Sequence, residues 1–385
     1  MVKAKKAIRV LHIVSAMNRG GAETLLMNIY RNIDKSQVQF DFVSHRTEKC
    51  DYDEEIALLG GKIYRIPSLG QVGPFAYIKE LTKIMSDNRY VAVHAHTDYQ
   101  GGFVAVAAKK AGIKKRICHS HSNNWPQGSG VAARVTLKIL RSIIKYAGTD
   151  YCACSSEAAR FLFGEKMLHH NKVELIKNGI DIKQFIDVEI EEISSVRKEL
   201  CIPDAAKLIG HIGRFSESKN HIFILQVLKE ILKKDTNFIA ILAGDGPLKA
   251  SIELKAKELG IYENIRFLGV RNDIPIIMNI IDVFVFPSLF EGFGIVTLEA
   301  QCAGVPCVVA DTIPKNTDMG LGIVSFVGLD EKIEIWSTEI YKALLKERPE
   351  KAIIINNISK LGFDINNSIL EWLTLYGIEC KESIR

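Results

Sequence analysis

Short apolar runs alternate with segments of helical periodicity along almost the whole chain of 385 residues. Residues 8–15 form one such run, and apolar side chains at helical spacing follow from Ala22 to Ile33. The same alternation continues through YVAVHAH and RICHSH and returns in KLIGHIGRF, NFIAILAGDG and IDVFVFPS. Because parallel strands need crossover helices, this pattern predicts an α/β fold in which helices cover both faces of parallel sheets.

The alternation runs in two rounds, and a chain of this length rarely builds a single core. The break lies at residues 181–206, which are acidic at first and contain Pro203 and Asp204. We therefore predict a Rossmann-like domain over 1–180, a linker over 181–206 and a second Rossmann-like domain over 207–364. Residues 365–385 are predicted to contain a closing helix.

Composition excludes several classes of protein. A net charge of +5 is too small to indicate a nucleic-acid partner. None of the eight cysteines forms a Cys-x-x-Cys pair, so we expect reduced thiols in a cytoplasmic protein rather than a metal site. The apolar start is too short for a secretory signal and is interpreted as a first strand. Asn279 and Asp282 interrupt the most apolar later stretch, which argues against a membrane span.

The most informative motif is PSLFEGFGIVTLE at residues 287–299, between a predicted strand and a predicted helix. Gly292 and Gly294 allow the backbone to approach a ligand, and free N–H groups at a helix start favour phosphate. Glu291 and Glu299 could contact different parts of one elongated ligand, since carboxylates accept hydrogen bonds from sugar hydroxyls. Spacing alone also allows a surface loop with two solvated glutamates.

A second motif, GRFSESKN at residues 213–220, also follows a strand. Arg214 and Lys219 could both contact a diphosphate, although two solvated loop cations would give the same pattern. Gly244 and Gly246 mark a tight turn after the next strand, without the fuller glycine pattern of dinucleotide-binding proteins.

Together with Gly20-Gly21-Ala22-Glu23 and Asn178-Gly179-Ile180-Asp181, these motifs resemble the retaining GT-B glycosyltransferases of family 4. The resemblance covers roughly residues 8–330. Within the family, His119-Ser120-His121-Ser122-Asn123 and Asp311-Thr312-Ile313-Pro314 are most similar to bacterial exopolysaccharide and capsule enzymes of the EpsF type. The resemblance implies two Rossmann-like domains facing a cleft, the first binding the acceptor and the second a nucleotide-sugar.

The resemblance also implies roles for single residues. Glu291 would bind donor-sugar hydroxyls, Glu299 the ribose, and Arg214 and Lys219 the diphosphate. The remaining residues expected to line the donor site are Gly20, Gly21, Gly244, Gly246, Gly292, Phe293, Gly294 and Ile295. His119 or His121 would lie at the reacting face with Glu291, and His119 fits the strand end slightly better. A buried structural role is the alternative for the other histidine, and His94 and His96 are interpreted as satisfied strand-end histidines.

The family resemblance further implies transfer from a UDP-sugar with retained configuration and without a metal or other cofactor. Asp51-Tyr52-Asp53 matches the Asp-x-Asp pattern of metal-dependent enzymes, but we interpret it as a solvated helix start. One departure is Lys315-Asn316, where many relatives carry an acidic residue. Because of this departure, the donor preferred by this chain could differ from that of those relatives.

The acceptor expected from the resemblance is a glycan or a sugar on a polyprenyl diphosphate lipid at the inner face of the cell membrane. Residues 131–148, from Val131 to Gly148, fit such a location. As a helix, the segment places Arg134, Lys138 and Lys145 on one face, together with Arg141. That basic amphipathic face could contact anionic lipid, although any helix beside a parallel sheet has a charged outer face.

Three other functions remain open from the sequence. A non-hydrolysing nucleotide-sugar 2-epimerase shares the fold but would need no acceptor. A catalytically inactive assembly subunit would bind a nucleotide-sugar without transfer, which the two glutamates and two cations argue against. A nicotinamide dehydrogenase is disfavoured because no Gly-x-Gly-x-x-Gly follows the first strand.

Overall fold

The computed structural model describes residues 7–121, 130–291 and 293–378. The chain divides into two compact units. The first unit contains Met1–Ile180 and Phe363–Arg385, and the second contains Asp181–Gly362. Each unit holds one parallel sheet, which confirms the predicted α/β fold.

The sheet of the first unit has seven strands in the order β3-β2-β1-β4-β5-β6-β7. Its strands are β1 (Ile8–Val14), β2 (Val38–Ser44), β3 (Ile63–Arg65), β4 (Tyr90–Ala95), β5 (Lys115–Ser120), β6 (Asp150–Ala153) and β7 (Glu174–Leu175). Its helices are α1 (Gly21–Asn32), α2 (Asp53–Leu58), α3 (Leu69–Asp87), α4 (Gly101–Lys110), α5 (Val131–Ala147), α6 (Ser156–Phe163) and α7 (Glu165–His169).

Both faces of this sheet are covered. Apolar side chains of α1 pack on one face, and those of α3, α4 and α5 pack on the other. Five of the seven residues of β1 and six of the seven of β2 are buried, as expected for strands that are covered on both faces.

The last helix of the chain belongs to this first unit. The chain returns at residue 363, where the Ile180 N–H donates to the Phe363 carbonyl at 2.7 Å. The predicted closing helix is α16 (Ile365–Leu375), and its Trp372 is fully buried against the sheet together with Tyr376 just beyond it. These two aromatic side chains therefore complete the core of the first unit.

The second unit contains a six-stranded sheet in the order β10-β9-β8-β11-β12-β13. Its strands are β8 (Lys207–Ile212), β9 (Phe238–Ala243), β10 (Ile265–Gly269), β11 (Val283–Phe286), β12 (Cys307–Ala310) and β13 (Val324–Val327). Its helices are α8 (Lys183–Ile186), α9 (Ile190–Glu199), α10 (His221–Leu232), α11 (Lys249–Glu258), α12 (Ile274–Ile280), α13 (Ile295–Cys302), α14 (Ile333–Leu344) and α15 (Lys351–Lys360).

The segment predicted as a linker, 181–206, is folded and grouped with the second unit. Its helices α8 and α9 pack against α12, and Asn279 Nδ2 donates to the Phe185 carbonyl at 2.9 Å. Phe185 and Val196 are buried, so the apolar side chains within this acidic segment anchor it to the second sheet. None of the helices in the described ranges is long and apolar enough to cross a membrane.

Candidate active site

The two loops that the sequence singled out lie side by side in the second unit. One follows β8 and the other follows β11, and these strands are neighbours in the sheet. The Leu289 N–H donates to the Ser218 carbonyl at 2.8 Å and joins the loops directly. The carboxyl ends of adjacent parallel strands are the usual place for ligands in such sheets.

Lys219 and Glu291 form an ion pair across these loops. Their side chains are 19% and 12% exposed, so the pair is largely shielded from water but still reachable. Lys219 Nζ also lies 5.0 Å from the centre of the Phe286 ring, which fixes the ammonium over an aromatic face. The site thus holds a cation and a hydrogen-bond acceptor next to each other.

Arg214 differs from Lys219 although both come from the same loop. Arg214 is exposed, and its side chain makes no hydrogen bond or ion pair with any residue of the described ranges. A guanidinium with five free N–H donors at a strand end can bind an anion without first breaking an internal contact.

Helix α13 presents only two side chains that are not buried, Ile295 and Glu299. They are four residues apart and therefore lie on the same face. Burial raises the pKa of Glu299 to about 7, so its charge depends on pH near neutrality. Gly294 precedes the helix with φ 83°, a conformation that favours glycine, and Phe293 beside it is buried. Gly292, predicted for the same loop, lies outside the described residues.

Gly244 and Gly246 have a packing role in this structure. A Cβ atom on Gly244 would lie 2.1 Å from the Gly213 carbonyl oxygen, and one on Gly246 would lie 2.5 Å from that of Phe215. The turn therefore needs glycines because it packs directly beneath the loop that carries Arg214. Direct donor contact by either glycine stays a prediction.

Gln301 is a supporting residue that the sequence analysis did not identify. This fully buried amide donates to the Thr317 carbonyl at 2.7 Å and accepts from the Met319 N–H at 2.8 Å. It thereby ties the loop after β12 to α13. Lys315 in that loop lies 3.5 Å above the Phe326 ring, so the departure from the family pattern leaves the lysine stacked on an aromatic side chain. A glutamine in a largely apolar helix segment, IVTLEAQC, was the available signal.

In the first unit, Gly20 and Gly21 lie at the start of α1, as the predicted first loop requires. The space beside Gly21 is open, since an added Cβ would meet no atom within 4 Å. At Gly20 a Cβ would lie 2.4 Å from Glu23 Oε2, so this glycine accommodates its own neighbour. Burial raises the pKa of Glu23 to about 7.

His119 and His121 occupy different environments. His119 is completely buried, and its Nδ1 lies 3.1 Å from His94 Nε2. His121 is partly exposed at the strand end, and its Nε2 lies 2.8 Å from His96 Nδ1. Burial lowers the pKa of both rings, that of His121 to about 4, so both are neutral at physiological pH. Solvent access thus favours His121 over the predicted His119 as the residue that could reach a substrate.

These two histidines belong to a larger group that also includes His94 and His96, which the sequence suggested were separate strand-end residues, and His12. His12 Nδ1 lies 3.1 Å from His96 Nε2, and His94 Nδ1 lies 3.0 Å from the Tyr376 hydroxyl. The group, which we call the histidine cluster, consists of His12, His94, His96, His119 and His121.

Comparisons with known proteins match both units. Residues 19–184 match the model "Glycosyltransferase Family 4", and residues 192–320 match "Glycosyl transferases group 1". The EpsF glycosyltransferase of Bacillus subtilis (strain 168) is 40% identical over 97% of this chain and 97% of its own length.

The chain belongs to the family 4 glycosyltransferases.

Another relative is the capsular polysaccharide biosynthesis glycosyltransferase CapH of Staphylococcus aureus, which is 27% identical over 96% of this chain and 98% of its own length. Among solved structures, Anabaena Alr3699/HepE in complex with UDP and glucose superposes with a TM-score of 0.77 at 19% identity, covering 96% of this chain and 99% of the other. That likeness confirms the GT-B fold. Neither the epimerase nor the inactive-subunit alternative is favoured by these relatives.

In this family 4 chain, α5 exposes both basic and apolar side chains. Arg134, Lys138 and Lys145 are exposed, as predicted. Arg141 differs, because its guanidinium donates to the Phe161 carbonyl and lies 5.5 Å from the Phe161 ring centre. Arg141 therefore lies on the predicted face but is used internally, which leaves Arg134, Lys138 and Lys145 without such a contact among the described residues. Beside the three free cations runs an exposed apolar stripe of Val131, Val135, Ile139 and Tyr146.

Proposed function

We propose that this chain transfers a hexose from a UDP-sugar to a glycan or polyprenyl-diphosphate-linked acceptor, with retention of configuration, in exopolysaccharide or capsule synthesis. The observation that carries the proposal is the Lys219–Glu291 pair, formed by two loops 72 residues apart at the carboxyl ends of β8 and β11. The kinship with EpsF and CapH and the UDP bound in HepE support the donor and the pathway.

The charges of the second unit fit the chemistry of a nucleotide-sugar. Breaking the bond between sugar and diphosphate leaves negative charge on the diphosphate, which preorganised cations and N–H groups stabilise. Arg214 binds the diphosphate directly. Lys219 exchanges Glu291 for the diphosphate when the donor arrives, and this exchange frees Glu291 to accept hydroxyls of the sugar.

The remaining donor contacts come from α13. The first backbone N–H groups of this helix, which begins after Gly294, point out of its N-terminal end. Groups in that position favour a phosphate. Glu299 accepts hydrogen bonds from the ribose, one turn along the same partly buried face as Ile295. Phe293 and the glycines of this loop shape the pocket around the donor.

For the acceptor, the first unit contributes His121. Its neutral ring can orient an acceptor hydroxyl by hydrogen bonding. In the transfer step, a diphosphate oxygen takes the proton of that hydroxyl as the new bond forms on the face of the sugar that the diphosphate leaves. Because Arg214, Lys219 and the α13 N–H groups supply the positive charge, we expect no divalent ion to bridge the diphosphate. Transfer in excess EDTA should equal transfer with magnesium, and loss in EDTA that magnesium reverses would refute this mechanism.

A donor screen tests the function. Purified protein is mixed with UDP-, GDP- or ADP-sugars, thermal shifts are recorded, and products are identified by mass spectrometry with and without acceptor. We expect a shift with a UDP-sugar and a new glycoside that forms only with acceptor. Release of free sugar in a different configuration at C2, without acceptor, would instead indicate an epimerase.

We further propose that α5 brings the enzyme to a lipid-linked acceptor at the inner face of the membrane. The exposed apolar stripe Val131, Val135, Ile139 and Tyr146 borders the cations Arg134, Lys138 and Lys145. Apolar side chains can enter the headgroup region while the neighbouring cations bind anionic lipid, and each cation near such a surface contributes about 1 kcal/mol.

Liposome co-sedimentation tests this location. Binding should need anionic lipid, weaken with salt and fall strongly when Arg134, Lys138 and Lys145 are changed to Gln. A matched variant with Lys229, Lys234 and Lys332 changed to Gln removes the same charge from exposed sites of the second unit and should bind like the parent. Equal binding by both variants would leave α5 as a helix that only covers the sheet.

A further inference from the structure

The face of the first sheet beneath α16 contains metal-binding side chains on three adjacent strands. His94 is on β4, His119 on β5 and Cys152 on β6, and each is completely buried. His119 and Cys152 are direct register partners, and His94 pairs with Ile117, two residues before His119 on the same face. The backbone of the sheet therefore holds all three side chains together.

The ligand atoms of these residues converge. His94 Nε2 lies 3.1 Å from His119 Nδ1 and 3.6 Å from Cys152 Sγ, and all three atoms lie within 4.8 Å of one another. A four-coordinate metal with ordinary bond lengths to nitrogen and sulfur separates its ligands by about 3.4 Å for two nitrogens and about 3.6 Å for nitrogen and sulfur. Small side-chain adjustments would bring the observed atoms to those separations.

Hydrogen bonding leaves one of these close approaches unused, because the Cys152 S–H can donate instead to the Cys118 carbonyl at 4.0 Å. A neutral imidazole nitrogen carries either one proton or one lone pair in the ring plane. His94 Nε2 therefore cannot form good hydrogen bonds to both His119 and Cys152, although both approach it. A metal ion bound by the three converging atoms would use His94 Nε2, His119 Nδ1 and Cys152 Sγ at once.

We propose that His94, His119 and Cys152 bind one soft transition-metal ion, Zn(II) or Cu(I), inside the first unit. Thiolate and imidazole are the ligands that these ions prefer. The other two groups of converging ligands in the histidine cluster contain only neutral rings, whereas Cys152 supplies the negative charge that a buried cation needs.

The surroundings fit a metal ligand. The Tyr376 hydroxyl lies 3.0 Å from His94 Nδ1, on the side of the ring opposite Nε2. With the metal on Nε2, Nδ1 carries the proton and donates to Tyr376, the kind of outer contact that fixes a metal-bound histidine. Burial raises the pKa of the Cys152 thiol well above its usual value. Binding thus converts a thiol to a metal thiolate and releases one proton to solvent.

The metal would be structural and would enter when the first unit folds, because the ligands are inaccessible once α16 covers them. It would join three strands beneath Tyr376, and none of its ligands belongs to the second unit, which carries the donor loops. The inference is consequently independent of the proposed transfer reaction, and its tests need no activity assay.

Metal analysis of the full-length chain is the first test. Protein purified without chelator should contain one zinc or copper per chain by inductively coupled plasma mass spectrometry. After unfolding, refolding with Zn(II) or Cu(I) should give a higher melting temperature than refolding with chelator. Co(II) reconstitution should produce a thiolate-to-cobalt charge-transfer band, which reports the sulfur ligand specifically.

Two cysteine variants locate the site. Cys152→Ser should lose the metal and the charge-transfer band, whereas Cys118→Ser should keep both. Cys118 is equally buried but lies on the opposite face of the sheet, with its Sγ 3.8 Å from the Gly101 carbonyl. Metal retained by Cys152→Ser would overturn the proposal. If Cys152→Ser fails to fold, the measurements on the unchanged protein test the proposal. The absence of bound metal, of a thermal shift and of a charge-transfer band would refute it and indicate a metal-free hydrogen-bonded network.

Discussion

The two sheets place their polar groups in opposite ways. In the first sheet, His12, His94, His119 and Cys152 lie on the buried face that packs beneath Trp372 and Tyr376, and His96 and His121 follow directly at the strand ends. In the second sheet, His211 is the one buried polar side chain within the strands of the described residues, and its neighbours include Phe284 and Phe286. The functional side chains of the second unit are instead in the loops after the strands.

This difference has an energetic basis. A loop residue such as Arg214 stays hydrated until a ligand arrives, so it costs the fold little. A buried imidazole must find a partner inside, because an unpaired buried polar group costs about 1–3 kcal/mol. The first unit meets much of that demand by pairing histidine with histidine, although His12 Nε2 and His119 Nε2 have no partner among the described residues. Polar chemistry in a core therefore has to be cooperative, whereas in loops it can be independent.

The largest effect is expected for Glu291→Gln. The variant keeps the shape of the side chain but removes the charge that pairs with Lys219, and transfer should fall about 100-fold or more. The protein should still fold, because the residue is in a loop. Glu258→Gln, which changes an exposed helix glutamate paired with Lys255, is the control and should keep full turnover. Unchanged turnover of Glu291→Gln at saturating donor would remove this residue from the mechanism.

Arg214→Ala and Lys219→Ala should each weaken UDP binding by about 1.5–3 kcal/mol, or roughly ten- to a hundredfold, the scale of a charge-assisted hydrogen bond. Isothermal titration calorimetry with UDP measures the effect. Lys229→Ala, at an exposed position of α10, should bind like the parent. Unchanged UDP affinity in both variants would show that Arg214 and Lys219 do not bind the diphosphate of the donor.

The third prediction concerns the first sheet, where the buried histidines are expected to stabilise the fold cooperatively. His12→Leu should lower the free energy of unfolding by about 1–3 kcal/mol, because His96 Nε2 is left without a partner in the core. The double variant His12→Leu/His96→Leu should cost less than the sum of the two single changes. Urea unfolding of the four proteins gives the coupling energy, and strict additivity would mean that these rings do not act together.

Donor binding should depend on pH through Glu299, whose pKa burial raises to about 7. The carboxylate accepts hydrogen bonds from ribose hydroxyls, so the ionised form binds better and nucleotide binding lowers this pKa. The KM for the donor should therefore fall by up to about tenfold between pH 6 and pH 8. Glu299→Gln should flatten this dependence. A parent enzyme whose KM does not change over this range would contradict the assigned ribose contact.

The sequence predicted which loops of the second unit carry the candidate site, because strand-length apolar runs end directly before GRFSESKN and PSLFEGFGIVTLE. It did not predict that Lys219 pairs with Glu291, since that contact depends on β8 and β11 being neighbours although two strands separate them in the sequence. Nor did it distinguish His119 from His121. His119 lies in β5 and His121 directly follows that strand, and only the folded chain shows that the first is buried and the second partly exposed.

By itself, the sequence determined the α/β class, the two rounds of strand and helix and the family, because hydrophobic periodicity and short loop motifs are local properties of the chain. Only the tertiary structure decided that Phe363–Arg385 returns to the first unit, that Arg141 is used internally, and that the histidine cluster and Cys152 come together. Those outcomes depend on strand order and on contacts between residues up to 282 positions apart, as between His94 and Tyr376. No local pattern encodes such contacts, because they arise only when separate elements pack on the same face of a sheet.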